Sequence, residues 1–301
     1  MNSILIEANH LSKTFRGRCA VYPLDLTIHA GECVALAGHN GAGKSTLMKM
    51  LLGLLSPTTG SVYLQGKAPT DAQVKTKLGY LPETVSLYPS LTGRETLKFF
   101  AKLKKQPIAA NEALLETVGI LDAADRRVGT YSKGMRQRLA LAQALIGQPD
   151  ILFLDEPTTG LDPASRREFY ERIALLRASG VAILLSSHAL AELAGQVDRI
   201  IIMKQGHKMA DGDLTQLRMQ AELPTILMTE CAAPLPSPWQ SIGESRWQCA
   251  VNEAEKNAVI TQLYREHSPA DIHIQAPSLD DLYADFLKRE PIKTIEEATD
   301  E

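Results

Sequence analysis

Gly38-His39-Asn40-Gly41-Ala42-Gly43-Lys44-Ser45 has the residue types and spacing of a loop that cradles phosphate. Glycines let successive backbone N–H groups turn toward one anion. Lys44 is placed to reach the β- and γ-phosphates of a nucleotide, and Ser45 to ligate Mg²⁺. Gly38, His39, Asn40, Gly41, Ala42, Gly43 and Thr46 complete the candidate contact set. A second constellation, Ile151-Leu152-Phe153-Leu154-Asp155-Glu156, runs from four apolar residues into two carboxylates. Asp155 would hold Mg²⁺ through its water shell, and Glu156 would polarise an attacking water as general base. Together the two segments point to hydrolysis of a nucleoside triphosphate.

Both segments need particular elements around them. Glu32 to Ala37 is a short apolar run that reads as a buried strand, and Thr46 to Leu52 has helical character. The loop therefore joins a strand to a helix whose positive end faces the phosphates. Ile151 to Leu154 reads as a buried parallel strand with its catalytic groups at the carboxyl end. Strands and helices alternate over residues 1–215, which predicts an α/β core of P-loop NTPase type around a mixed or parallel sheet. Residues 89–147 are richer in helix, with amphipathic stretches at Leu97–Lys105 and Ala110–Val118 bounded by Pro107 and Gly119. Arg199–Met203, Gln205-Gly206 and the residues after them read as strand, turn and strand, closing the core.

Beyond that the composition changes. Pro234, Pro236 and Pro238 mark irregular chain. Arg246–Val251 and Asp271–Gln275 alternate like strands, Glu253–His267 is helical, and Leu279–Lys288 is a helix capped by Ser278. These predict a small C-terminal α+β appendix over 222–290. Residues 291–301, with Glu296, Glu297, Asp300 and Glu301, read as a flexible acidic tail.

The 301 residues are 45% hydrophobic and carry 32 basic against 35 acidic side chains, a net charge of −3. Such a balance argues against broad electrostatic binding to nucleic acid. No apolar window is long enough to span a bilayer, and the N-terminus lacks the pattern of a signal peptide. Cys19, Cys33, Cys231 and Cys249 are scattered without metal-type spacing, as expected of a reduced cytosolic protein with no structural metal. Only one phosphate loop is present, so two sites require two chains.

A third segment, Tyr131-Ser132-Lys133-Gly134-Met135-Arg136-Gln137, gives the set a family likeness. With the first two it makes residues 1–215 resemble the ATP-binding subunit of an ABC transporter. The segment is similar to that family's L-S-G-G-Q signature, with Tyr for Leu, Lys133 for the first Gly, and Met135-Arg136 ahead of Gln137. Ser132 and Gly134 are retained. The resemblance implies that Ser132, Gly134 and Gln137 belong to a site completed by the phosphate loop of a second copy, so that ATP glues a homodimer. A plainer reading, in which Ser132 simply caps the following helix, is compatible with the first. The same resemblance makes His188 the switch histidine that contacts the γ-phosphate and the base. It places Asp162 in the loop that communicates across the dimer, makes Phe15 an aromatic that stacks on adenine, and puts Glu83 beside Mg²⁺ where the family commonly has Gln. Residues 89–147 become a helical subdomain facing the membrane partner. The surface near Leu87, Tyr88 and Pro89 reads equally as a groove for a coupling helix or as a loop packed on the core.

A narrower likeness joins Gly53–Pro57, Gly93–Leu97, Tyr131–Arg138 and Pro277–Tyr283 to the NosF-type ATPases. Those serve maturation of the copper centres of nitrous oxide reductase in bacterial denitrification. It implies ATP and Mg²⁺ as cofactors and a polytopic inner-membrane permease and a periplasmic accessory protein as partners. The subunit would be cytoplasmic, peripheral on the inner membrane, with copper or a sulfur species as cargo. The alternatives are a general drug or lipid exporter ATPase, a soluble ABC mechanoenzyme, and a regulatory ATP sensor with the appendix as effector.

Overall fold

The computed structural model describes residues 3–221 and 223–290. The expected acidic tail lies outside them, as do Met1, Asn2 and, at the expected boundary, Glu222. The chain divides into two compact units, Met1–Lys208 and Met209–Glu301. The division falls inside a strand, ahead of the 215–222 junction expected from composition.

The first unit runs β1 (Ile4–Phe15), β2 (Arg18–His29), β3 (Cys33–Ala37), α1 (Lys44–Leu51), β4 (Thr59–Leu64), α2 (Ala72–Thr76), β5 (Leu78–Leu81), α3 (Gly93–Leu103), α4 (Asn111–Thr117), α5 (Lys133–Ala144), β6 (Ile151–Leu154), α6 (Pro163–Ala178), β7 (Ala182–Ser187), β8 (Arg199–Lys204) and β9 (His207–Gly212). Two sheets result. One has the order β2-β1-β4 and is antiparallel, the other the order β5-β6-β7-β3-β8-β9. In the latter β5, β6, β7, β3 and β8 are mutually parallel. Parallel strands buried on both faces read as continuous apolar runs, and β3, β6 and β7 are buried at every position.

The antiparallel sheet is absent from the alternating pattern expected over residues 1–215. β1 begins with period-2 burial at Ile6 and Ala8, but the next buried residue is Leu11. His10 takes a left-handed φ of 47° there, the pairing slips between Ala8 and Leu11, and the inward face is reset by one residue. Leu11 then joins Ile6, Leu26, Leu47, Leu51, Phe153 and Leu184 in one core that binds both sheets to α1. Burying each such Leu, Ile or Phe is worth about 1.5–3 kcal/mol. The phosphate loop is thereby anchored at both ends in this core.

Helices α3, α4 and α5 pack on one another in the helical stretch. Expected helices at Leu97–Lys105 and Ala110–Val118 are found at Gly93–Leu103 and Asn111–Thr117. The first starts a turn early because Thr92 and Glu95 form a reciprocal capping box.

The second unit holds α7 (Leu214–Ala221), β10 (Thr225–Glu230), β11 (Gln240–Gly243), β12 (Arg246–Val251), α8 (Lys256–Glu266), β13 (Ile272–Gln275) and α9 (Leu279–Lys288). Its sheet, of order β11-β12-β10-β13, is antiparallel. Leu227, Cys249 and Val251 on the sheet pack against Val259 and Ile260 of α8. Ser278 caps α9 through a capping box with Asp281. β10 and β11 were not anticipated: β10 mixes Thr and Met into its apolar run, and β11 is wholly exposed.

Candidate functional site

The parallel topology puts the loops after β3, β5, β6 and β7 at the carboxyl ends of their strands, on one edge of the sheet. These loops carry the phosphate loop, Glu83, Asp155-Glu156 and His188. His39 through Thr46, Glu83, Glu156 and His188 line one cleft of about 830 Å³. In the loop, Gly43 adopts a φ of 102°, and a Cβ there would stand 2.8 Å from the Ala20 carbonyl oxygen, so only glycine fits. α1 begins at once with Lys44, and no side chain caps its first turn. The amides of that turn are left for an anion. The Lys44 ammonium, 6% exposed, donates to the carbonyls of Gly38 and His39.

The register between β6 and β7 pairs Leu154 with Leu185, which sets Asp155 beside Ser186. The Ser186 hydroxyl donates to Asp155 Oδ1 at 2.6 Å and accepts the Glu156 N–H at 2.9 Å. One serine thus fixes both carboxylate residues. Glu156 has a left-handed φ of 48°, a strained conformation of the kind that collects at functional positions. Its Oε1 lies 3.7 Å from Lys44 Nζ and its Oε2 2.7 Å from His188 Nδ1. A carboxylate held between an ammonium and an imidazole at the mouth of a phosphate loop can orient a water and take its proton.

Asp155 is itself 6% exposed and sits behind the cleft lining. Burial, and then the charges of Asp155 and Glu83, push the Tyr80 phenol above its ordinary range, so both carboxylates act on one spot. The Ser45 hydroxyl and these carboxylates are hard oxygen donors, which suits Mg²⁺ shared with phosphate oxygens.

The structure does not bring every candidate into this cleft. Phe15 is not part of the lining; it ends β1, 45% exposed, with Lys13 Nζ 5.1 Å from its ring centre. That side of the cleft is made by Gly17, Arg18, Cys19, Ala20, Tyr22, Gln205 and His207. Tyr22 and His207 stack with ring centres 3.6 Å apart, a pairing no local pattern reveals because the residues lie on distant strands. Ser132, Gly134, Gln137 and Asp162 are also outside the cleft. Ser132 caps α5 by accepting the Met135 N–H at 3.2 Å, and Gln137 Nε2 donates to the Pro157 carbonyl at 2.7 Å. Gly134 and Gln137 line a separate shallow depression with Leu161 and Ser165. Asp162 caps α6, and hydrogen bonds from the Ser165 backbone and hydroxyl hold its carboxyl below the usual range. Among the described residues no helix is long and apolar enough to cross a membrane.

Comparison with known proteins adds an independent line. Residues 21–159 match the ABC transporter family model. The chain is 40% identical over 213 residues to the Nod factor export ATP-binding protein I of Burkholderia lata, covering 69% of this chain and 70% of that one. It is 40% identical over 237 residues to the probable multidrug ABC transporter ATP-binding protein YbhF of Escherichia coli, covering 76% of this chain and 41% of that one. A solved structure described as an ATP binding subunit of an ABC transporter superposes with a TM-score of 0.66 at 32% identity, covering 72% of this chain and 92% of that one.

Proposed function

This chain belongs to the ABC transporter ATP-binding family, whose members bind and hydrolyse ATP, and on that premise we propose how its residues divide the work. Lys44 and the amides of the phosphate loop hold the β- and γ-phosphates. Ser45, Asp155 and Glu83 are the residues that would hold Mg²⁺. When bound, the ion supplies charge neutralisation on the phosphate oxygens. Glu156 accepts the proton of the attacking water. His188, through its 2.7 Å contact, keeps Glu156 aimed and sits where it can meet the γ-phosphate. The adenine lies against the Arg18–Tyr22 wall, and Phe15, outside that lining, would have to turn in to stack on it. The observation that carries this reading is Glu156 suspended between Lys44 and His188.

Ser132, Gly134, Gln137 and Asp162 serve the nucleotide of a second copy, making ATP the glue of a homodimer. The differential affinity of the closed state for ATP over ADP is what a switch requires. The switch acts on a separate polytopic inner-membrane permease, with this subunit on the cytoplasmic face and residues 89–147 toward that partner. Tyr88 and Phe99, both exposed and packed edge-on at 5.9 Å, offer the permease an aromatic surface. Residues 1–215 form the ATPase domain and 222–290 an accessory domain.

The specific system we propose is copper or sulfur delivery in nitrous oxide reductase maturation, with a periplasmic accessory protein. Its support is the NosF-like set of segments reaching into Pro277–Tyr283. A general exporter ATPase is the second reading, favoured by the Nod factor export and multidrug names of the relatives. The deciding experiment uses Glu156→Gln. With Mg-ATP the variant is expected to lose turnover and accumulate as an ATP-bound dimer that recovers a multi-span protein from solubilised native membranes. Undiminished turnover sinks the base assignment. The recovered protein's identity separates the two transport readings.

A further inference from the structure

Four residues past His188, a short helical turn ends at Glu192. Both oxygens of this carboxylate are engaged, and both engagements lead to the same place. Oε2 accepts the hydroxyl of Thr158 at 3.3 Å, with Thr158 5% exposed. Oε1 pairs with Arg166 Nη1 at 2.5 Å, and Arg166 Nη2 donates to the Leu161 carbonyl at 3.2 Å. Thr158 and Leu161 are the two ends of the loop that follows Glu156, closed on itself by the Leu161 N–H to the Thr158 carbonyl at 3.1 Å. On its near side that loop is bonded to the signature helix, through Gln137 to Pro157. Neither Glu192 nor Arg166 lines the nucleotide cleft.

We infer that Glu192 is a positioning residue that straps the 158–161 loop to the turn carrying His188, so that the two parts of the site each chain supplies move together. The inference rests on the assignment of Glu156 as base and His188 as its partner. The physical reasoning is short. His188 is half exposed, and in the cleft it bonds the Glu156 carboxylate. At the end of its strand the Ser187 hydroxyl accepts the Ala189 N–H at 3.1 Å, and the turn that follows carries the chain on to Glu192. Glu192 clamps that turn to a loop that begins one peptide bond beyond Pro157, itself joined to Glu156. A displacement of the loop is therefore delivered to both partners of the 2.7 Å contact. Thr158 and Arg166 share one carboxylate, so the two contacts couple rather than add.

The test is steady-state ATPase activity of the full chain, with nucleotide affinity and melting temperature measured alongside. Thr158→Val keeps the shape and removes only the hydroxyl that reaches Glu192. Glu192→Gln removes the ion pair with Arg166. Each is expected to lower kcat about tenfold or more with ATP affinity within about twofold, as for a misaligned catalytic group. Thr158→Ser, which restores the hydroxyl, recovers most of what Thr158→Val loses. The double variant Thr158→Val/Glu192→Gln is no worse than Glu192→Gln alone, because both act through one strap. Parental kcat in Thr158→Val overturns the inference, whatever Glu192→Gln does to stability. So does a double variant whose losses multiply. Glu156→Gln run in parallel separates the layers: if it is inactive while the strap variants turn over normally, the strap alone falls; if it too is active, the base assignment beneath it has failed.

Discussion

Lys44 and Glu156 face each other at 3.7 Å with both side chains almost wholly removed from water. In this arrangement the ammonium is spent on the carbonyls of its own loop and on the carboxylate opposite. In the proposed role it would exchange those partners for the oxygens of a triphosphate, which compete well because the bonds are charge-assisted. Lys44→Met keeps the stem and deletes the charge. It is expected to weaken ATP binding by about tenfold to a hundredfold, the worth of one hydrogen bond to a charged group. Equilibrium binding of ATP to the full chain checks this, and unaltered affinity would remove Lys44 from the phosphate site. The contrast with what surrounds Lys44 shows which residues a sequence announces. Gly38–Ser45 and Asp155-Glu156 are contiguous, and the chemistry proposed for them demands that contiguity. Ser186, Glu192 and the Tyr22–His207 stack are just as much part of the surroundings of the site, yet their partners lie on elements far away along the chain. No spacing rule joins them, because the sheet order that brings them together is not written locally.

At the scale of elements, buried parallel strands are legible because burial on both faces leaves uninterrupted apolar runs, as in Val34-Ala35-Leu36 and Ile151–Leu154. The antiparallel β1–β2–β4 sheet is not, because the bulge at His10 breaks the alternation that would reveal it. The turn between β8 and β9 shows how much an element boundary can carry. Gly206 donates its N–H to the Ala42 carbonyl at 2.9 Å, and its own carbonyl accepts the Tyr22 N–H at 3.0 Å. It is the brace between the phosphate loop and the cleft wall. Its φ is 87°, and a Cβ would sit 2.8 Å from the Ala20 oxygen. Gly206→Ala must move one side of that brace, at a cost of about 1–2 kcal/mol for the backbone conformation alone. The expected result is a melting temperature lower by a few degrees and a KM for ATP raised several-fold, since the loop that presents Ala42 and Gly43 is displaced. A variant with the parental KM would reduce the turn to a connector.

At the scale of the whole molecule, the cleft and the signature do not meet within one chain. The cleft lining contains Glu156 and His188 but neither Ser132 nor Gly134, although Ser132 presents a capped helix start of the kind that attracts anions. The proposed symmetric pair would place each signature over the partner's phosphate loop, and that arrangement has a consequence that mixing can reveal. Take one chain with Glu156→Gln and another with Ser132→Arg. Each homodimer has two defective sites: the first lacks its base, the second has a bulky cation where the partner's phosphate belongs. In the mixed dimer the defects fall together in one site. The other combines an intact Glu156 from the second chain with an intact Ser132 from the first. Equal mixing is therefore expected to restore activity to as much as about a quarter of the parental rate, since half the dimers are mixed and each has one sound site. A site completed within a single chain gains nothing from mixing, because every chain present carries a defect. Activity of the mixture at the average of the two separate variants would thus place Ser132 in the same chain's site or outside catalysis. A gain that peaks at equal proportions and falls away as either chain predominates would place it across the dimer.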